Sequence, residues 1–230
     1  MNINYMNRFL KIAHRGFTIL KKNENTLFAF QNAIEKKFDM IELDIHLCKS
    51  RDIVIYHDNY IKKDDKYYYI KDLTFEEIIK LNPHIITLPF FFERIDKEKI
   101  QIFLDIKGSN EIMSYLLDYL NHRFSNFDNL MISSFNRKCV KDVIEFNKKN
   151  DVKKIKTGFT TENIYSNIEL HILLKDIDYL ILYWSMLDKN MIEYCHENNK
   201  KVFCYTCKDL EELDYIKKFN VDGIVTDILI

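Results

Sequence analysis

Eight apolar, strand-like runs separated by amphipathic helical segments predict an α/β fold, a (β/α)8 TIM barrel with a small insertion after its second strand. Eight is the number of strands that closes a parallel barrel, and 230 residues are ample for one such domain with a real core. No repeat, linker or low-complexity stretch divides the chain, so residues 1–230 are expected to form a single domain.

The expected barrel strands are Leu10–His14, Met40–Ile45, Ile100–Lys107, Leu130–Ser134, Ile155–Phe159, Tyr179–Trp184, Val202–Thr206 and Gly223–Asp227. Between the first two, Leu27, Phe30, Ala33, Ile34 and Phe38 recur at helical spacing. Glu111–Phe124 sets Ile112, Leu116 and Tyr119 on one face, and Lys138–Lys149 and Lys189–Asn198 behave alike. Asp209–Phe219 begins at an aspartate suited to capping a helix.

One region breaks the rhythm. Val54-Ile-Tyr-His-Asp reads as a short extra strand, and Asn59 to Tyr69 is polar and rich in tyrosine. Thr74-Phe-Glu-Glu77 then has capping-box spacing ahead of Ile78, Ile79 and Leu81. Residues 58–88 are therefore expected to form an insertion over the barrel mouth. The sequence ends at Ile230, just after the last strand, so the flank an eighth helix would cover is expected to be closed by Met1–Arg8 or by a second copy in a homo-oligomer.

Polar groups gather where strands end. Ile12 and Ala13 run into His14-Arg15-Gly16, Glu24-Asn25-Thr26 precedes the first helix, and His57-Asp58 follows the extra strand. Glu42 and Asp44 sit two residues apart on a strand, hence on one face, as do Asp105 and Lys107. Carboxylates on a buried inner face are costly without positive charge between them, and a divalent cation is the economical explanation. Glu42, Asp44 and Asp105 offer hard oxygens, suited to Mg2+ or Ca2+ rather than zinc. Arg15 and Lys107 supply positive charge for an anionic substrate such as a phosphate ester, and His14 and His57 offer a base and an acid. In a barrel these groups converge at the carboxyl ends of the strands.

Each group also has a plainer reading. Asp105 and Lys107 alone would make a buried ion pair, and Glu24 and Asn25 could cap the first helix. His46 shares the face of Glu42 and Asp44, where a structural role is the simpler expectation, and His84, His122, His171 and His196 read as solvated. Gly16 and Gly108 follow strand ends either to admit a phosphate or simply to turn the chain.

Taken in order, these blocks resemble the glycerophosphodiester phosphodiesterase family. Leu104-Asp105-Ile106-Lys107, Ser134-Phe135 and the closing strand Val221–Asp227 extend the resemblance over nearly the whole chain. It implies metal-dependent hydrolysis of a small-molecule phosphodiester to glycerol 3-phosphate and an alcohol, with Glu24 near the phosphate. Lysophospholipase D or phospholipase-like activity at the same site, or a non-catalytic phosphodiester-binding module, are the alternatives. Two blocks depart from the family. Cys48-Lys49-Ser50-Arg51 must build without glycine a turn that usually contains one, and Tyr205-Thr206-Cys207-Lys208 alters the aromatic wall of the pocket.

A net charge of −1 leaves no basic stripe and argues against nucleic acid as a partner. No apolar run approaches the roughly 20 residues of a membrane span, and Met1 to Leu10 lacks the core of a signal peptide, so a cytoplasmic protein is expected. Five irregularly spaced cysteines read as free thiols. Cys204-Tyr-Thr-Cys207 has C-x-x-C spacing, but strand alternation is expected to point the two thiols to opposite faces.

Overall fold

Side chains on both faces of the barrel strands are buried, inward against one another and outward against helices, which is why these runs are so dense in apolar residues. A computed structural model describes residues 9–150 and 153–230. Met1–Arg8, one expected cover for the open flank, lie outside the described residues.

In chain order the elements are β1 (Leu10–Ala13), α1 (Leu27–Glu35), β2 (Met40–Leu47), β3 (Ile53–Ile55), β4 (Tyr60–Lys63), β5 (Lys66–Tyr69), α2 (Phe75–Leu81), β6 (Ile86–Thr87), α3 (Leu88–Arg94), β7 (Gln101–Ile106), α4 (Ile112–Arg123), β8 (Leu130–Ser134), α5 (Arg137–Lys149), β9 (Lys156–Thr161), α6 (Asn167–Leu173), β10 (Tyr179–Tyr183), α7 (Lys189–Glu197), β11 (Lys201–Cys207), α8 (Leu210–Ile216) and β12 (Gly223–Thr226). Eight of the strands close a parallel barrel in the order β1, β2, β7, β8, β9, β10, β11, β12, with β12 returning to β1. The predicted (β/α)8 architecture is the one observed.

Pleat alternation divides the core. Ile12, Met40, Phe103, Met131, Ile181, Phe203 and Val225 form a layer inside the barrel. Their strand neighbours pack outward against the helices in two larger clusters, one around Phe30, Phe91 and Leu116, the other around Leu180, Ile192 and Val202. Burying each such side chain stabilises the fold by roughly 1.5–3 kcal/mol. Phe9, Ile228 and Ile230, just before β1 and just after β12, pack against the second cluster.

The segment between β2 and β7 adds structure to the sheet edge. β3 pairs antiparallel with the end of β2, and β6 pairs with β3. Residues 58–88 hold the β4–β5 hairpin, α2 and β6. Thr74 and Glu77 form the expected capping box on α2. Phe91 and Phe92, on α3, are buried in the core.

One expectation fails at β11. Cys204 faces Ile224 across the β11–β12 ladder and Cys207 faces Thr226, so three steps along β11 span two along β12. The extra residue is a bulge, which reverses the alternation beyond it. Both thiols therefore lie in the same outward-facing cluster, fully buried, rather than on opposite faces. They remain free, and neither approaches the acidic cluster described below.

Candidate active site

β1 delivers His14 to the carboxyl-end rim, and the next residues turn sharply. Arg15 and Gly16 both take left-handed backbone angles, φ 55° and 78°. A Cβ on Gly16 would lie 2.6 Å from the Ala29 backbone carbon, so this glycine makes room for α1 rather than for a ligand. The turn aims the Arg15 amide at Glu42, whose Oε2 accepts its hydrogen bond at 2.9 Å. Thr26 caps α1 by accepting from the Ala29 amide, so neither Glu24 nor Asn25 is the cap. Freed from that role, Asn25 turns inward. Its Nδ2 donates to Asp44 Oδ2 at 2.8 Å, and its Oδ1 accepts from the Asp44 amide at 3.2 Å. Glu24 accepts from the Arg15 guanidinium at 2.8 Å.

Glu42 and Asp44 point into the barrel from β2, and Asp105 stands directly across from Asp44 on β7. All three are buried, with one ligand oxygen of each within 4.8 Å of the others. Lys107 reaches back between the two aspartates, 2.6 Å from Asp105 and 3.0 Å from Asp44. Arg15 Nε lies 3.1 Å from the other Asp44 oxygen. Burial disfavours the Asp44 charge, but Lys107 and Arg15 override it and hold the group at about 2. At Glu42 the same two cations act more weakly than burial and the neighbouring acids. Burial, then Asp44 and Asp105, push its carboxyl well above the usual range, and burial raises Asp105 against the pull of Lys107.

Fully ionised, the three acids would carry three negative charges against the two positive charges of Arg15 and Lys107, and the raised carboxyls of Glu42 and Asp105 reflect burial together with that shortfall. An all-oxygen, anionic set that is short of positive charge fits a hard divalent cation.

The two histidines line the same small cavity, of about 190 Å3, as this cluster. His14 Nδ1–H donates to Asp227 at 2.6 Å, and His57 Nδ1–H donates to Asp58 at 2.7 Å. In both rings that contact fixes the tautomer and leaves Nε2 for chemistry. His46 stands apart from the acids. Its Nε2–H donates to the His57 carbonyl at 3.1 Å, which anchors the segment carrying His57. Gly108 is needed for its left-handed φ of 73°, since a methyl group there would meet nothing closer than His46 Nδ1 at 3.8 Å.

The β11 bulge sends both Tyr205 and Thr206 to this cavity. Tyr205 packs edge-on against Phe135, ring centres 6.0 Å apart, so an aromatic wall stands where the altered block left one in question. His196, expected to be solvated, is instead half-buried on α7 and paired with Asp222 at 2.9 Å.

Every residue singled out for the site, His14, Arg15, Glu24, Glu42, Asp44, His57, Asp105 and Lys107, thus falls in one connected group. The contributions of Asp227 and Asn25 were missed, while His46 takes the structural role expected of it. Asp227 had a signal: in a closed barrel the first and last strands pair, which puts the residue after Thr226 beside the residue after Ala13.

Residues 14–229 match the model of the glycerophosphoryl diester phosphodiesterase family. The chain belongs to that family. Its enzyme class, the phosphoric diester hydrolases, is the one the sequence blocks implied. A glycerophosphodiester phosphodiesterase of Caldanaerobacter subterraneus is 28% identical over 236 residues, covering 95% of this chain and 93% of its own. The crystal structure of a glycerophosphodiester phosphodiesterase from Thermotoga maritima is 25% identical, with a TM-score of 0.76 and 96% of each chain covered. An Oleispira antarctica phosphodiesterase, solved with its product sn-glycerol-3-phosphate, shares the fold with a TM-score of 0.80 at 21% identity, over 95% of this chain and 92% of that one. Among the described residues no helix of this family member is long and apolar enough to cross a membrane.

Proposed function

We propose that the protein hydrolyses glycerophosphodiesters, adding water to release glycerol 3-phosphate and an alcohol. The observation that carries this reading is the pair of carboxylate-oriented histidines lining one cavity with three buried acids. A divalent cation, Mg2+ or Ca2+, held by Glu42, Asp44 and Asp105 would stabilise charge on the non-bridging phosphate oxygens. Arg15 and Lys107 add fixed positive charge beside the diester, and Glu24 holds the Arg15 guanidinium in place.

His14 is assigned the base. Its ring is largely buried and braced by Asp227, so Nε2 is positioned to take a proton from the attacking oxygen. His57, more exposed and paired with Asp58, is assigned the acid that protonates the departing alkoxide. The names of the relatives and the product held by the Oleispira enzyme support the same substrate class. Free thiols at all five cysteines suit a reducing, cytoplasmic setting.

The test is hydrolysis of glycerophosphocholine with Mg2+, with Ca2+ and with excess EDTA. Release of choline that EDTA abolishes supports the reading, and full activity in EDTA removes the cation from it. Turnover of lysophosphatidylcholine alone would replace the substrate class, and binding without turnover would make the protein a phosphodiester-binding module.

A further inference from the structure

The catalytic cavity, at about 190 Å3, is smaller than the roughly 300–1,000 Å3 that small-molecule sites occupy. It suffices for the reacting phosphate and little more, so the rest of a diester has to extend beyond it. Lys107 lines a second and much larger cavity, about 890 Å3, between the β2–β3 turn, the hairpin of residues 60–69 and the start of α4. Lys107 thus lines both cavities.

The second cavity is basic. Lys49, Arg51 and Lys71 line it, against the single acid Glu111. Lys107 is already held by Asp44 and Asp105. Of the other three, the charge of Lys49 acts on Glu77 without a salt bridge being formed, while Arg51 and Lys71 form no salt bridge with a carboxylate among the described residues. Arg51 is the telling residue. It adopts φ 68°, a left-handed conformation that costs a side-chain-bearing residue about 1–2 kcal/mol and that glycine would take freely. The strained turn carries a guanidinium that lies over the Tyr115 ring, 5.6 Å from its centre, at the cavity wall. The first turn of α4 lies on the same side, its Glu111 amide donating to Ser109 Oγ at 3.3 Å.

We propose that this cavity is a subsite for an anionic group on the second alcohol of the diester, a phosphate or a carboxylate. The inference rests on the hydrolase reading above. The glycerol moiety is uncharged, so only the other alcohol can complement a cationic cleft of this size. The enzyme would then prefer diesters of phosphorylated or acidic alcohols over those of choline, whose cation the cleft repels.

The holoenzyme with saturating Mg2+ is assayed on three substrates: glycerophosphoinositol 4-phosphate, neutral glycerophosphoglycerol and cationic glycerophosphocholine. Glycerophospholactate, whose alcohol carries a carboxylate and no ammonium, is assayed beside them and separates a carboxylate from a phosphate as the recognised group. The wild type is compared with the triple variant Lys49→Gln, Arg51→Gln, Lys71→Gln. The expected kcat/KM favours the anionic substrates. The triple variant loses about tenfold of that preference, each exposed charge contact being worth a few-fold, and keeps its rate on glycerophosphoglycerol. The preference shrinks with added salt. Equal kcat/KM across the substrates, or a preference the triple variant retains, overturns the subsite.

A calorimetric titration with inositol 1,4-bisphosphate reads the subsite without turnover. Weaker binding by the triple variant supports it, and unchanged binding refutes it. If no diester is hydrolysed, the hydrolase reading is what fails, and the titration alone decides the subsite.

Discussion

Asp227 lies 213 positions from His14 in sequence, yet its carboxylate takes the imidazole Nδ1 hydrogen at 2.6 Å. Asp227→Asn preserves the shape and can hold the ring in the wrong tautomer, so kcat is expected to fall by about 10²–10⁴-fold with a displaced pH–rate profile and little change in KM. A uniform loss with an unaltered profile would reduce Asp227 to packing. The division of labour between the histidines has its own test. On a nitrophenyl diester, whose leaving group needs no proton, His57→Ala should recover most of the about 10²–10⁴-fold loss it shows on glycerophosphocholine, while His14→Ala should be poor on both. Recovery by His14→Ala alone would reverse the assignment. At the acidic cluster, Asp105→Asn removes one of three anionic donors and should weaken Mg2+ binding at least about tenfold, read by calorimetry independently of activity. These residues were legible because each block is short and its chemistry is local. Asn25 was not, since an asparagine before a helix reads first as a cap, and only the tertiary structure shows Thr26 already filling that place.

At the scale of elements, the β1–α1 connection is the most tightly determined part of the site. Gly16→Ala would set a methyl 2.6 Å from the Ala29 backbone at a φ of 78°. Relief requires α1 to shift, and Arg15 and Asn25 move with it. The expected cost is about 1–3 kcal/mol of stability together with a sharp loss of kcat, measured by thermal unfolding and steady-state assay. A variant that is fully active and no less stable would show that this packing does not place the loop. The strands themselves were readable from their apolar runs, with ends off by a residue or two. The β11 bulge was not, because nothing in Val202–Cys207 distinguishes a regular strand from one that gains a residue against its neighbour. That is why Cys204 and Cys207 were expected on opposite faces and Tyr205 and Thr206 were not expected to share the cavity.

Across the whole molecule, the buried thiols set an alkaline limit. Burial pushes Cys139 up to about 11 and Cys195 up to about 12, from 9.0 for an exposed thiol. A group raised in the folded state contributes its full stability below the unfolded value and loses it as pH climbs through the folded one. Melting temperature should therefore drop between about pH 9 and 12, and more gently in Cys139→Ala/Cys195→Ala; parallel slopes in the two proteins would assign the drop to other groups. The closure of the barrel has a further consequence, one of timing. β1 waits for β12, made 213 residues later, to complete its ladder, and His14 waits for Asp227 to be oriented. A chain still emerging from the ribosome can assemble the acids of β2 and β7 long before its base is braced. Turnover should thus switch on all at once, making activity itself a signal that the barrel's closing strand has been made and has found β1.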